Sequence, residues 1–278
     1  MVRRRLVNGR AVRAIDAADR GLQYGDGVFE TMALRGGTLR FWDRHVERLA
    51  RGCERLQIPP VPASILEAEI ARLTAGAEDA IVKLVVTRGG GTRGYRPERP
   101  GAPTRVLFLH PNRAWPAAHY ARGVRLRLCA TRLGCNPLLA GIKHLNRLEQ
   151  VMARLEHADA DAEEGLMLDE AGRVIAGTMT NLFLVADGRL VTPALDRCGV
   201  AGVMRAAVLE TAAAAGVETA VGDVDGARLA AADELFVTNA LIGLWPVRAC
   251  AGRKLGRNPV TRALMRGLAA RGVRECAV

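Results

Sequence analysis

Residues 138–150 read LLAGIKHLNRLEQ. The first five of them are apolar and lead to Lys143, which stands directly before a predicted helix. Lysine is scarce in this chain, since only Lys83, Lys143 and Lys254 occur among 40 basic residues. Arginine stays protonated, so a position that keeps lysine can serve a reaction in which the amine loses its proton and attacks a carbonyl carbon. An apolar setting also lowers the pKa of an amine. The stretch predicts either a nucleophilic lysine or an ordinary solvated lysine at a helix start.

Strands followed by helices occur twice along the chain, once before this stretch and once around and after it. The first part predicts hairpins at 5–15 and 28–41, a helix at 45–56 capped by Asp43, a helix at 63–73, and strands at 80–87 and 104–110. The second part predicts strands at 124–131, 166–168, 174–176, 182–185 and 234–238, and helices at 145–157, 202–214 and 261–270. This order favours an α+β fold over a doubly wound parallel sheet. We expect a smaller domain at 1–115, a linker at 111–121 and a larger domain at 122–278.

The composition narrows the possible partners. The net charge is +11, but the arginines are spread along the chain and aromatic residues make up only 4%, which argues against nucleic acid and favours an acidic small molecule. No apolar run is long enough to span a membrane, and no secretory leader is recognisable, so we expect a cytoplasmic protein. The six cysteines and five histidines lack metal-ligand spacing, and no metal site is predicted.

Two glycine-bearing loops are candidate ligand sites. The loop at 89–97 carries Arg93 and Tyr95, and is either a mobile surface loop or a lid over an anionic ligand. Residues 198–205, CGVAGVMR, enter a predicted helix, where backbone N–H groups either bind a phosphate or simply begin the helix. A third segment, Gly25-Asp26-Gly27, lacks the last glycine of the dinucleotide-binding fingerprint and precedes a strand rather than a helix. Dinucleotide binding by this segment is therefore excluded.

Taken together, these stretches resemble the class IV pyridoxal-phosphate enzymes. Residues 19–31 (DRGLQYGDGVFET), 45–49 (HVERL) and 181–183 (NLF) are similar to the whole class, which includes branched-chain and D-amino-acid aminotransferases. The segments at 141–150, 93–95 (RGY) and 238–241 (TNAL) resemble more specifically the 4-amino-4-deoxychorismate lyases of that class. The resemblance covers nearly the full chain, and it implies a two-domain fold with pyridoxal 5′-phosphate in the interdomain cleft and a homodimer.

The resemblance also implies residue roles. Lys143 matches the catalytic lysine that binds the cofactor covalently and later moves a proton. Arg48 matches an arginine that binds the cofactor phosphate, and the backbone N–H groups of Val203 and Met204 match a second phosphate contact. Asn239 matches a further phosphate or substrate contact. The substrate-binding positions of the class fall on three residues, Phe29, Arg93 and Tyr95.

One position departs from the class. Ala176 stands where a glutamate usually pairs with the pyridine nitrogen; we therefore expect a less protonated ring, which favours elimination over transamination. The resemblance implies a lyase that converts 4-amino-4-deoxychorismate into 4-aminobenzoate and pyruvate for folate biosynthesis. The alternatives are a branched-chain or D-amino-acid aminotransferase of the same class, and a basic binding protein without catalysis.

Overall fold

The computed structural model describes residues 4–91, 93–97, 101–156 and 162–277. Thr92, in the predicted loop, and His157, at the predicted helix end, lie outside these ranges. The chain divides into two compact units. The first comprises Met1–Arg113 and Ile142–Asn146, and the second comprises Ala114–Gly141 and Arg147–Val278. Neither unit is continuous in sequence, because five residues around Lys143 belong to the first unit.

The first unit is an antiparallel sheet with two helices on one face. Its elements are β1 (Arg4–Val7), α1 (Arg20–Tyr24), β2 (Gly27–Arg35), β3 (Thr38–Leu39), α2 (Trp42–Arg55), α3 (Ala63–Thr74), β4 (Ala80–Thr87) and β5 (Thr104–Pro111). The strand order within the described residues is β1-β5-β4-β2-β3.

Alternation along the strands of this sheet separates two faces. One face is a buried core that contains Met32, Leu84 and Leu107, against which Leu49 of α2 and Leu66 of α3 pack. The other face carries half-buried residues such as Phe29 and Lys83.

Two local predictions for the first unit are wrong. Residues 12–15 form no strand, and β1 pairs instead with β5, Leu6 lying opposite Leu107. Asp43 does not cap α2, since the helix begins at Trp42 after Phe41, and Asp43 lies in its first turn. The hairpin of β2 and β3 is confirmed, with Arg35 opposite Thr38.

The second unit is built around a mixed sheet. Its elements are α4 (Ala117–Ala121), β6 (Val124–Leu133), α5 (Leu148–Leu155), β7 (Glu164–Asp169), β8 (Val174–Gly177), β9 (Asn181–Ala186), β10 (Arg189–Pro193), α6 (Val203–Ala214), β11 (Thr219–Gly222), α7 (Gly226–Ala231), β12 (Glu234–Asn239), β13 (Gly243–Cys250), β14 (Arg253–Lys254) and α8 (Pro259–Ala270). The strand order among the described residues is β11-β10-β9-β12-β13-β6-β7-β8, with β14 paired to β13. The pairs β10–β11, β13–β6 and β6–β7 are parallel. Both units combine sheets with segregated helices, so the predicted α+β class is confirmed.

The core of the second unit contains three large aromatic side chains. Phe183 of β9 and Phe236 of β12 stack with ring centroids 4.9 Å apart, and Trp245 of β13 is fully buried. The predicted linker at 111–121 contains α4, whose Tyr120 packs against Trp245. Within the described residues, no helix has both the length and the apolar character that crossing a membrane would require.

Helix α5 differs from its prediction in length and in burial. It begins at Leu148 rather than at 145. The apolar face that its periodicity predicts is present but not buried, because Leu148 is 78% exposed and Leu155 is 69% exposed. Val151 and Met152 lie on the same face and are also exposed. A contiguous exposed apolar face of this kind is typical of an interaction surface.

Candidate active site

Lys143 lies in the five-residue segment that belongs to the first unit. Because β3 pairs only with the end of β2, this segment can pair with the beginning of β2: Phe29 N–H donates to Lys143 O at 2.9 Å and Leu145 N–H donates to Gly27 O at 3.0 Å. The Lys143 ammonium lies 4.2 Å from the centre of the Phe29 ring. This backbone pairing fixes the lysine beside an aromatic ring, which is a partly apolar setting for the amine.

A buried charged cluster stands behind this strand, formed by Glu30 of β2 with His45 and Arg48 of α2. Glu30 accepts a hydrogen bond from Arg48 Nε at 2.8 Å and lies 2.6 Å from His45 Nδ1. Arg48 also donates through Nη2, so two of its five N–H donors face Glu30. All three side chains are less than 9% exposed.

The cluster fixes the protonation of its members. Burial alone would raise the pKa of Glu30, but the hydrogen bonds from Arg48 and His45 and their charges lower it below its usual value. Burial lowers the pKa of His45, and the charges of Arg48 and Lys143 add to that effect against the opposing influence of Glu30. His45 is therefore neutral, with Nδ1–H donating to Glu30. Its Nε2 is a buried acceptor for which the described residues provide no donor.

We expect the free energy of unfolding to fall as pH decreases from 6.5 towards 5. The folded pKa of His45 is lowered, so in this range the unfolded chain binds a proton that the folded chain does not, at a cost of up to about 1.4 kcal/mol per pH unit. His45→Asn keeps an N–H donor for Glu30 and does not titrate. Urea unfolding across this range should therefore give a flatter pH profile for the variant. Identical slopes would show that His45 does not control acid sensitivity and would leave His110, whose pKa is also lowered, as the source.

The loop that carries Arg93 and Tyr95 is held on α1. Arg20 is buried and donates from Nη1 to Gly94 O at 2.8 Å and from Nη2 to Tyr95 O at 2.9 Å. Its Nε pairs with Asp26 at 3.0 Å. Gly94 N–H donates to the hydroxyl of Tyr24 at 3.1 Å. The described part of this loop is therefore supported by α1 and is not an unattached surface segment.

The side chains of Arg93 and Tyr95 remain exposed on this support, and Tyr95 is 87% exposed. If Arg93 binds a substrate carboxylate, Arg93→Ala should raise the KM by about tenfold or more, because a charge-assisted hydrogen bond is lost. The absorbance of the bound cofactor should stay unchanged. Steady-state kinetics on both proteins test this, with Arg96→Ala in the same exposed loop as the control. Unaltered kinetic constants for Arg93→Ala would show that Arg93 does not bind the substrate.

In the second unit, the loop before α6 is packed tightly. Asn181 donates from Nδ2 to Val200 O at 2.9 Å, and a Cβ atom at Gly202 would lie 2.1 Å from Asn181 Oδ1. Only glycine fits there. Gly202 is the N-cap of α6 and leads directly to Val203 and Met204, whose side chains are buried.

The same loop is bonded to the chain just before Lys143. Gly141 N–H donates to Gly199 O at 3.0 Å, and Ala201 N–H donates to Gly141 O at 2.9 Å. The first N–H groups of a helix have no partner within the helix and attract anions. The start of α6 is therefore suited to binding a phosphate. The loop before it is hydrogen-bonded to Gly141, which lies two positions before Lys143 in the chain.

Asn239 and Ala176 both contact neighbouring parts of the second unit. Asn239 Oδ1 accepts from Leu241 N–H and Ile242 N–H, both at 2.9 Å. Its Nδ2 donates to Met179 O at 3.2 Å, so one amide hydrogen remains for a ligand. Ala176 is buried on β8 opposite Met167 and belongs to an apolar cluster. The two roles that the resemblance implies, a ligand contact for Asn239 and a missing ring partner at Ala176, stay predictions.

The carboxylate of Glu164 on the neighbouring strand β7 is already fully engaged. It accepts hydrogen bonds from Thr178 Oγ1 at 2.6 Å, from Thr180 Oγ1 at 3.1 Å and from the backbone N–H of Gly165 at 2.8 Å. Glu164 therefore orders the turn after β8. Its carboxylate has little remaining hydrogen-bonding capacity to take the role of the glutamate that the class usually has at the position of Ala176.

A family model described as amino-transferase class IV matches residues 27–250. The chain belongs to this family. It is 40% identical over 245 residues to an aminodeoxychorismate lyase of Vibrio harveyi, which covers 87% of this chain and 89% of the relative. It is 32% identical to a putative branched-chain-amino-acid aminotransferase of Methanocaldococcus jannaschii, with coverage of 91% and 90%. The crystal structure of 4-amino-4-deoxychorismate lyase from Pseudomonas aeruginosa superposes with a TM-score of 0.93 at 49% identity, covering 98% of this chain and 99% of that one.

Enzymes of this class use pyridoxal 5′-phosphate, and the residues of the chain fit that cofactor. Lys143 offers an amine beside an aromatic ring, and the start of α6, which follows a tightly packed glycine at position 202, offers backbone N–H donors. Sequence reasoning assigned no role to four residues, namely Glu30, His45, Asn181 and Arg20. Their partners lie between six and 75 positions away in the chain, and no spacing in the sequence indicates such pairs.

Proposed function

We propose that this class IV enzyme is a lyase that converts 4-amino-4-deoxychorismate into 4-aminobenzoate and pyruvate, a step that supplies a folate precursor. The observation that carries the proposal is likeness to lyases over nearly the whole chain, at 40% identity to one relative and 49% to a solved structure. The tethered Arg-Gly-Tyr loop supports it, because an exposed arginine on a rigid support suits a substrate that carries carboxylates.

Four residues of the chain would hold the cofactor. Lys143 would bind it covalently, Arg48 would bind its phosphate, and the N–H groups of Val203 and Met204 would provide further phosphate donors. When bound, pyridoxal phosphate supplies an electron sink. Glu30 keeps the Arg48 guanidinium in one orientation through two hydrogen bonds, so little ordering remains to be done when the phosphate binds.

Lys143 would also carry the proton in the reaction. Its Nζ amine would be the base that removes the hydrogen from the substrate ring carbon bearing the nitrogen. The adjacent carbon–oxygen bond would break, so that the ring becomes aromatic and the side chain leaves as enolpyruvate. The proton taken up by Lys143 would then balance the one that the methylene carbon of enolpyruvate gains as it becomes pyruvate. The backbone pairing of Lys143 with Phe29 would hold the lysine in place during this proton transfer, and the Phe29 ring would exclude water from one side of the amine.

The test is product analysis with purified protein. Incubation with 4-amino-4-deoxychorismate should give 4-aminobenzoate and pyruvate in equal amounts. The same protein incubated with branched-chain or D-amino acids and a keto acid should show much slower amino transfer. Faster amino transfer than lyase turnover would replace this proposal with the aminotransferase function that the relative at 32% identity suggests.

We further propose that the protein is a cytoplasmic homodimer whose interface includes the exposed face of α5. The support is the row of Leu148, Val151, Met152 and Leu155, which are between 49% and 78% exposed and which a second copy would remove from water. All six cysteines are free, as a reducing compartment allows. Light scattering should give twice the mass of one chain. The double variant Leu148→Glu/Leu155→Glu should be monomeric, and an unchanged mass would place the interface elsewhere.

A further inference from the structure

The face of the first sheet opposite α2 and α3 carries a cation without an assigned role. Lys83 on β4 lies across from Thr31 on β2 and Phe108 on β5, and alternation places Phe29 and His110 on the same face. Lys83 is half-buried. It is one of only three lysines in the chain.

No carboxylate pairs with Lys83 among the described residues. The strand residues that share its face in β1, β2, β4 and β5 include no aspartate or glutamate. Burial lowers the pKa of His110, and the charge of Lys83 lowers it further. A half-buried ammonium without a counterion is unfavourable unless an anion joins it. This face of the sheet is therefore electropositive and suited to an anion.

Lys83 and Lys143 flank the same aromatic ring. The Lys83 ammonium lies 5.3 Å from the centre of the Phe29 ring, and the Lys143 ammonium lies 4.2 Å from it. The two ammonium groups are thus separated by no more than the combined length of these distances. A small ring compound whose reacting carbon lies beside Lys143 Nζ can extend along Phe29 towards Lys83.

We propose that Lys83 is a specificity-determining residue that binds the ring carboxylate of the substrate. This inference rests on the proposed function. The substrate has its reacting amine and its ring carboxylate on opposite sides of one six-membered ring, and the two lysines belong to backbone segments on opposite sides of β2, the strand that carries Phe29. An α-amino acid has its carboxylate on the carbon that bears the amine, so its carboxylate would stay nearer to Lys143 and farther from Lys83, which lies on the other side of β2. Lys83 therefore favours a cyclic amino carboxylate over the amino acids that related aminotransferases use.

The experiment compares Lys83→Met, which keeps length without charge, with Lys83→Arg, which keeps charge. Lys254→Met on the exposed strand β14 is the matched control. We expect Lys83→Met to raise the KM for 4-amino-4-deoxychorismate by about tenfold with a smaller change in kcat, and Lys83→Arg to retain most of the affinity. The product 4-aminobenzoate keeps the ring carboxylate, so its inhibition constant should rise by a similar factor. The inhibition constant of aniline, which lacks the carboxylate, should not change.

Three outcomes would overturn the proposal. An unchanged KM and an unchanged inhibition constant in Lys83→Met would remove Lys83 from substrate binding. A raised KM with unchanged 4-aminobenzoate inhibition would assign Lys83 to the enolpyruvyl carboxylate instead. An equal rise in the inhibition constant of aniline would show that the substitution disturbs packing of the site instead of removing a carboxylate contact. Failure of the proposed function is seen separately, because the wild-type protein would then release no 4-aminobenzoate, while binding of 4-aminobenzoate still tests Lys83.

Discussion

Lys143→Ala is expected to lower lyase turnover by about 10³-fold or more, since the variant loses both the covalent attachment of the cofactor and the base that moves the proton. The fold should survive, because the segment is held through its backbone, with Phe29 N–H donating to Lys143 O. Circular dichroism and the unfolding midpoint should therefore remain close to those of the wild type.

Chemical labelling separates this role from a structural one. Borohydride reduction of the wild-type protein with pyridoxal phosphate, followed by peptide mapping, should place the label on Lys143 alone. The variant should carry no label although Lys83 and Lys254 are intact. Label on either of those lysines in the wild-type protein would contradict the assignment of Lys143.

Arg48→Met is expected to have two large effects that arise from different causes. It leaves the buried carboxylate of Glu30 with His45 as its remaining partner, and breaking a buried ion pair from one side costs about 3–5 kcal/mol of stability. It also removes a phosphate donor, which should weaken cofactor binding by tenfold or more. Urea unfolding measures the first effect, and titration with pyridoxal phosphate measures the second.

The double variant Glu30→Gln/Arg48→Met distinguishes these effects. Removing both charges abolishes the uncompensated carboxylate, so most of the lost stability should return. Cofactor affinity should stay low, because the guanidinium is still absent. If the double variant bound pyridoxal phosphate as tightly as the wild type, Arg48 would act only as a partner of Glu30 and not as a phosphate ligand.

The elements that follow from sequence are those whose signals are local. The β2–β3 hairpin follows from alternating apolar residues around Gly36-Gly37, and α3 follows from an apolar spacing that ends near Leu73. The pairing of β1 does not follow, because its partner β5 lies about a hundred residues away. A local turn at Asn8-Gly9 gives the same signal whether or not a strand comes after it.

Helix α5 and the Glu30 cluster illustrate two further limits. The periodicity of α5 identifies its apolar face correctly, but the same pattern results whether that face meets the core of its own chain or another molecule. Glu30 and His45 lie 15 positions apart on different elements, and their contact depends on how α2 packs on β2. The resemblance to a class supplied Lys143 and Arg48 as candidates, whereas the partner that orients Arg48 required the structure.

The return of Ile142–Asn146 to the first unit means that this protein cannot be dissected at a single peptide bond. A fragment ending at Arg113 would contain all five strands of the first sheet but not its lysine, and it would leave the beginning of β2 without the backbone partners that Lys143 and Leu145 provide. A fragment starting at Ala114 would carry the lysine without the ring of Phe29 beside it. Split-protein or domain-exchange designs in this family therefore need to move residues 1–113 and 142–146 together. A design that moves only one of these two segments separates Lys143 from Phe29.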